Sequence, residues 1–291
     1  MRLAEFRERF TPLIRAELAR QLATVDTPEL REAMGHLLGR GKFFRPLLVL
    51  ATCRALSGED PAVFVPVAAP LETIHTFTLI HDDLPALDDA QLRRGVAAVH
   101  LACGEPQAVL AGDGLLALAL QQLSAAGLGL KPQIQRGVLQ AVVNAIRVVV
   151  EGEIIDMYAE GSQLDLPALK NMYRNKTGSL LGACCATGGW LSGAGRTTRA
   201  ALAEIGVLLG LAFQIRDDLL SCESTDSIMG KTLATDDQHE KSTYPRLLGL
   251  DGARAELDAT LAQVEQGITA LRLPEPGLLL EIAAWAGRRS N

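Results

Sequence analysis

Phe77-Thr78-Leu79-Ile80-His81-Asp82-Asp83-Leu84-Pro85-Ala86-Leu87-Asp88-Asp89 closes an apolar run with two adjacent acids. Gly210-Leu211-Ala212-Phe213-Gln214-Ile215-Arg216-Asp217-Asp218-Leu219-Leu220 repeats the device later in the chain. Taking a carboxylate out of water is costly unless it is paired or holds a cation. One such pair most often caps a helix or meets a nearby Arg. Two, each in Leu/Ile/Phe-rich surroundings and each accompanied by basic residues, point to a shared task. Hard cations such as Mg²⁺ take oxygen ligands, commonly one or two carboxylates together with substrate phosphates. We expect both pairs to face one cavity and share metal ions that hold a phosphorylated substrate.

Around these segments the periodicity is helical nearly throughout. Leu3, Phe6, Phe10, Leu13, Ile14 and Leu18 recur at three- and four-residue steps. Thr27-Pro28-Glu29 and Asp165-Leu166-Pro167 read as helix starts, as does Thr197-Thr198. A long helix is expected to run to about His81. Pro85 and Gly95 mark irregular chain after it, and further helices are expected over 105–126, 132–160, 166–174, 177–193, 198–221, 251–271 and 276–288. The β-branched cluster Val148-Val149-Val150 with Ile154-Ile155 has helical neighbours on both sides and is assigned to helix. The fold class is all-α, a single large helical bundle over residues 1–291 with a central active-site cavity and inner helices apolar on most faces.

Composition excludes several classes. The net charge is −6, and no Lys/Arg run exceeds Arg93-Arg94 or Arg288-Arg289, so no nucleic-acid partner is expected. Five cysteines without CxxC spacing read as reduced thiols of a cytoplasmic protein. The first ten residues, MRLAEFRERF, carry charges throughout and no signal-peptide core. The uncharged run Thr177–Gly195 reaches membrane-spanning length but holds six glycines, which favours a tightly packed internal helix over a span.

The site reading then assembles from spacing. Asp82 ends a helix and Pro85 turns the chain, so Asp82 and Asp88 can converge; Gln214 lies about one turn before Asp217 on nearly the same face. Lys42 and Arg45, three apart, are expected on one helix face, with Arg94 following the first acidic cluster; together they suffice to hold a second phosphate group without metal. A cavity with one metal-bound and one Arg/Lys-bound phosphate suits two amphiphilic phosphorylated substrates.

LIHDDLPALDDAQLRRG (79–95) and GLAFQIRDDLL (210–220) resemble the two aspartate-rich motifs of the trans-isoprenyl diphosphate synthases. RGKFFRP (40–46), ETIHT (72–76), NKTGSL (175–180), MGK (229–231) and EKSTYPRLLGL (240–250) fall where that family keeps its other signature segments. The similarity covers roughly residues 35–255, and the bacterial members that make farnesyl diphosphate look most alike. It implies a Mg²⁺-dependent homodimer, with Mn²⁺ able to substitute. Its activity would be head-to-tail condensation of isopentenyl diphosphate with an allylic diphosphate, dimethylallyl or geranyl, giving mainly farnesyl diphosphate.

On that resemblance, Asp82, Asp88 and Asp217 would hold three metal ions. Arg93, Lys176, Lys231 and Lys241 would contact the allylic diphosphate, and Gly41, Lys42, Arg45, His75 and Arg94 the isopentenyl diphosphate. The Lys176 carbonyl, Thr177 hydroxyl and Gln214 amide would stabilise the allylic cation. Phe77, with Thr78 beside it, would limit chain length at fifteen carbons. His36, His81 and His239 are left as structural. The chain departs from the family pattern at Arg40, Phe43, Ala90-Gln91, Ala97-Ala98 and Glu153, and Ser221 stands where the second motif has its third Asp. Three other readings remain: a class I terpene cyclase, whose second metal motif wants Glu at the position of Thr225; an HD-type phosphohydrolase built on His81-Asp82; and a weakly active partner subunit of a heteromeric prenyl synthase.

Overall fold

Phe6, Phe10, Ile14 and Leu18 are all buried along one face of the first helix, α1 (Leu3–Leu22), with the Phe6 and Phe10 rings 4.5 Å apart. The computed structural model describes residues 1–126, 129–159, 163–228 and 242–288. After α1 come α2 (Pro28–Gly35) and α3 (Phe44–Ser57), a 3₁₀ turn (Pro61–Phe64), and α4 (Val65–Asp82). A two-stranded hairpin, β1 (Leu92–Arg93) with β2 (Val96–Ala97), leads to α5 (Val99–Cys103), α6 (Glu105–Ala126) and α7 (Pro132–Ala159). Then follow α8 (Leu166–Tyr173), a π-helical turn (Arg174–Gly178), α9 (Ser179–Leu191), α10 (Arg196–Ile228), α11 (Tyr244–Ala270) and α12 (Gly277–Arg288).

The architecture is all-α, as the periodicity requires. Helix α9 lies at its centre, packed against α10, α7 and α3, while α4 packs against α6, α3 and α1. The uncharged run beginning at Thr177 is therefore internal: nearly every residue of α9 is buried, including Cys184 and Cys185. Such a helix has no face to give to water, so its sequence has no polar stripe. Three segments, Pro61–Asp82, Glu105–Ala126 and Arg196–Cys222, are long and apolar enough to cross a membrane by length and composition. In the first of them 67% of the apolar window is buried inside the bundle. The valine cluster of α7 is helical throughout.

Four boundaries differ from expectation, each for a local reason. No break occurs before Lys176; the chain passes from α8 to α9 through the π turn. Helix α10 starts at Arg196, so Thr197 and Thr198 lie inside it, and it continues to Ile228. Helix α11 begins at Tyr244, where Thr243 accepts a hydrogen bond from the Arg246 N–H and Pro245 suits the first turn. It is kinked at Gly249 (φ 71°, ψ 168°), the residue that makes the sequence look helical only from 251. Finally, α3 begins at Phe44 behind Phe43 in the left-handed region (φ 50°), so Lys42 lies outside the helix and shares no helical face with Arg45.

Candidate active site

Helix α4 ends at Asp82 as expected, and the following turn folds back over it. The Leu87 and Asp89 N–H groups donate to the Leu84 carbonyl, and the Asp88 N–H to the Asp82 carbonyl (2.9 Å). This brings Asp88, which is exposed, into the electrostatic field of the Asp82 carboxyl. Asp83 points the other way. Fully buried, it accepts hydrogen bonds from Nε (2.8 Å) and Nη2 of Arg93. The hairpin turn is Arg94-Gly95, both with positive φ (53° and 78°), the geometry a two-residue turn of this hand needs. It sends the two arginines to different places.

Arg94 reaches back to α4 and the end of the α2 region. Its Nη2 donates to Glu72 Oε1 (2.7 Å) and its Nη1 to the Leu37 carbonyl (3.1 Å). A Cβ on Gly41 would lie 3.1 Å from the guanidinium, so the bare backbone there gives Arg94 its room. Arg45 and His75 complete this cluster. Burial, then the charges of Arg45, Arg94 and Arg93, push the His75 imidazole well below its ordinary pKa, so it is neutral. The Arg45 Nε and Glu72 Oε2 are buried without hydrogen-bond partners. Lys42 lies elsewhere, its ammonium 5.8 Å from the centre of the Trp285 ring, which stacks on Phe44. Glu72, an acid inside the apolar stretch Val65–Ile74, opens the ETIHT segment noted in the sequence but was given no role there; its setting in VPVAAPLETI was the available signal.

The π turn supplies the third wall. Lys176 Nζ bridges Glu153 (3.0 and 2.8 Å) and Asp156 of α7. The Thr177 hydroxyl donates to Gln214 Oε1 of α10 (3.1 Å). Close backbone approach makes both contacts possible: a Cβ on Gly152 would lie 2.4 Å from the Lys176 nitrogen, and one on Gly210 2.5 Å from the Gly178 Cα. A single residue inserted into the helical ladder shifts the side chains that follow, and such turns recur at functional sites. Asp82 is pushed up to about 7, first by burial, then by the like charges of Glu153 and Asp88, against the opposing pull of Lys176 and Arg93. Glu153 of α7 and Lys176 of the π turn thus both act on the first acidic segment, and Thr177 links that turn to the second.

Asp218 also turns inward. It accepts from the Tyr173 hydroxyl (3.0 and 2.9 Å), the Tyr244 N–H (3.0 Å) and Gln214. Burial, ahead of these contacts, raises it to about 7. Asp217 and Ser221 lie four apart on α10, with the Ser221 hydroxyl donating to the Asp217 carbonyl (3.0 Å). Lys231, Lys241 and His239 lie outside the described residues. Phe77 is buried one turn before the end of α4, its ring edge-on to His81 at 5.4 Å, and the Thr78 hydroxyl donates to the His75 carbonyl. His81 and His36 donate to the carbonyls of Val109 and Ala97, tying neighbouring elements together.

Among the described residues no ready-made group of three metal-ligating side chains is present. The donor set nevertheless fits a hard cation. The acids around Asp82 are oxygen ligands whose mutual repulsion raises its pKa, and an added positive charge relieves that repulsion.

Residues 27–271 match a family model described as polyprenyl synthetase. A farnesyl diphosphate synthase of Geobacillus stearothermophilus is 41% identical over 249 residues, covering 84% of this chain and 84% of that one. The farnesyl diphosphate synthase of Escherichia coli is 39% identical, covering 81% and 80%. Among solved structures, an FPP/GFPP synthase of Zymomonas mobilis superposes with a TM-score of 0.86 at 33% identity, covering 98% of both chains.

Proposed function

Since the chain belongs to the polyprenyl synthetase family, we propose that it joins isopentenyl diphosphate to dimethylallyl or geranyl diphosphate with farnesyl diphosphate as its main product. It is a prenyltransferase of the trans-condensing type. The observation that carries the assignment of the site is the split of the hairpin arginines. Arg93 joins the Asp82–Asp83 end of α4, and Arg94 joins Arg45, His75 and Glu72, giving two separate anion sites. Asp82, Asp88 and Asp217 would hold Mg²⁺, in three ions, with Mn²⁺ able to replace it. The metal, when bound, neutralises the charge developing on departing pyrophosphate.

The chain's own groups do the rest. Lys176, Arg93, Lys231 and Lys241 bind the allylic diphosphate as its C–O bond breaks heterolytically. The Thr177 hydroxyl, hydrogen-bonded to Gln214, together with the Lys176 carbonyl and the Gln214 amide oxygen, would supply negative dipoles to an allylic cation. Arg45, Arg94 and neutral His75 orient isopentenyl diphosphate, with Lys42 able to swing in from Trp285. The isopentenyl double bond attacks the cation, and a proton passes from the new bond to pyrophosphate.

Buried Phe77 forms the floor of the product tunnel, and Phe77→Ala should yield products of twenty or more carbons by chromatography; an unchanged spectrum places the floor elsewhere. The protein works as a single-domain cytoplasmic homodimer without a membrane span. Exposed Val143, Val150, Ile154 and Met157 form a stripe on α7, with Val109 and Leu110 on α6, and a second copy would cover it. None of the five cysteines is in a disulfide, as suits thiols kept reduced in that compartment. The cyclase alternative is not favoured: Lys42, Arg45 and Arg94 would have no second diphosphate to bind. Incubating the purified protein with isopentenyl and dimethylallyl diphosphates and identifying the products tests the assignment. No condensation product from the protein alone would favour the partner-subunit reading.

A further inference from the structure

We infer that Glu72 is a positioning residue for isopentenyl diphosphate: it never touches the substrate but sets the charge and aim of Arg94. The inference rests on the reading above that Arg45, His75 and Arg94 hold that diphosphate. Glu72 is 1% exposed and sits in the middle of α4 among Leu71, Thr73 and Ile74. A bundle helix that needed only packing would carry an apolar residue there, because burying an acid costs more than it returns unless its partner must be held. Among the described residues its carboxylate hydrogen-bonds to Arg94 alone, through Oε1, while its carbonyl accepts from the Thr76 hydroxyl.

Arg94 spends two of a guanidinium's five N–H donors on protein, one on Glu72 and one on the Leu37 carbonyl, which leaves three for a ligand. The bare backbone at Gly41 lets the guanidinium lie flat against the chain. Arg45 is close enough to repel Arg94, and both lower the pKa of His75. With Glu72 the cluster carries one net positive charge, from two arginines and one carboxylate with His75 neutral. Without it two guanidiniums would face each other uncompensated, and Arg94 would keep only the Leu37 carbonyl. Glu72 therefore holds Arg94 beside Arg45 at a spacing that two cations alone do not tolerate.

The test is steady-state kinetics on Glu72→Gln and Glu72→Asp, with folding checked by circular dichroism. Glu72→Gln should raise KM for isopentenyl diphosphate at least tenfold, leave KM for the allylic diphosphate unchanged and change kcat less than threefold. Glu72→Asp, which keeps the charge, should recover part of the loss. If Glu72→Gln does not fold, Glu72→Asp decides, and a selective rise in the isopentenyl KM supports the inference. Unchanged isopentenyl KM, or both KM values and kcat worsening together, overturns it. Wild-type turnover of the two substrates tests the underlying reading separately.

Discussion

At the end of α4, Asp82 lies in the field of Glu153, Lys176 and Asp88 while Asp83 turns inward onto the guanidinium of Arg93. In α10, Asp217 precedes Asp218, which turns inward onto the Tyr173 hydroxyl and the Tyr244 amide. Each pair thus anchors a later piece of chain with its second member. The anchors differ in kind. Asp83 is fully buried and meets a charged partner that is itself about a third exposed. Among the described residues the donors Asp218 meets are neutral, and burial lifts it to about 7. Two adjacent acids thus meet different surroundings, and the inner acids of the two pairs differ in whether the partner they find is charged or neutral.

The largest expected effect comes from removing the outer acids. Asp82→Ala and Asp217→Ala should each lower kcat/KM by 10² or more, since losing about 3 kcal/mol of transition-state charge stabilisation is already that large. Excess EDTA should abolish wild-type turnover, and activity persisting in EDTA would break the assignment of these acids. The inner acids should fail differently, in stability. Asp83→Asn leaves the partly buried Arg93 charge without its partner and should cost roughly 2–3 kcal/mol in urea denaturation, the lower range allowing for the exposed part of Arg93. Asp218→Asn keeps an acceptor for the Tyr173 and Tyr244 donors and should cost about 1 kcal/mol. Equal losses would mean that charge is not what separates the two anchors.

Stability should also follow pH. Asp82 and Asp218 both sit near 7 in the fold against an ordinary value of 3.8. The native state then holds protons that the unfolded chain has released, so this contribution is full below pH 4 and is lost as pH rises through 7. The urea midpoint measured in EDTA should fall between pH 5 and pH 8, and Asp82→Asn and Asp218→Asn should each flatten that slope. A midpoint that rises with pH over this interval would contradict the burial of both carboxyls.

Much of this was legible in the chain because apolar spacing and misplaced charge are both one-dimensional signals. Phe6, Phe10, Ile14 and Leu18 announce a helix, and Asp82-Asp83 inside Leu/Ile announce a site. The parts that were not legible depend on where a ladder slips or a side chain swings. Nothing in Asn175-Lys176-Thr177-Gly178 says that the turn is π rather than a fresh helix start. That register is set by Gly152 and Gly210, far away in sequence. Lys42 and Arg45 are three apart, yet Phe43 in the left-handed region places one outside the helix and beside Trp285. Glu72 could have been found by the same test that found Asp82, an acid where the pattern demands an apolar residue.

The smallest expected effect concerns the position that most separates this chain from its family's second motif. Ser221 lies one turn after Asp217 on the same face of α10, and its hydroxyl is bonded to the Asp217 carbonyl. A Ser there supplies no charge, whereas an Asp would add negative potential beside Asp217 without having to bind metal directly. The first acidic segment has such reinforcement already, since Glu153 and Asp88 both act on Asp82. With Ser221 in place of an acid, we expect the second segment to be the weaker cation site and to set the Mg²⁺ requirement. Ser221→Asp should lower the half-saturating Mg²⁺ concentration by about tenfold, the lower end of the range over which outer groups tune metal affinity, while Asp82-dependent binding stays as it is. Direct Mn²⁺ titration of the wild type and the variant, alongside turnover, measures this. An unchanged half-saturation would mean that the second segment does not limit cation binding, and that the asymmetry between the two pairs lies in their anchors alone.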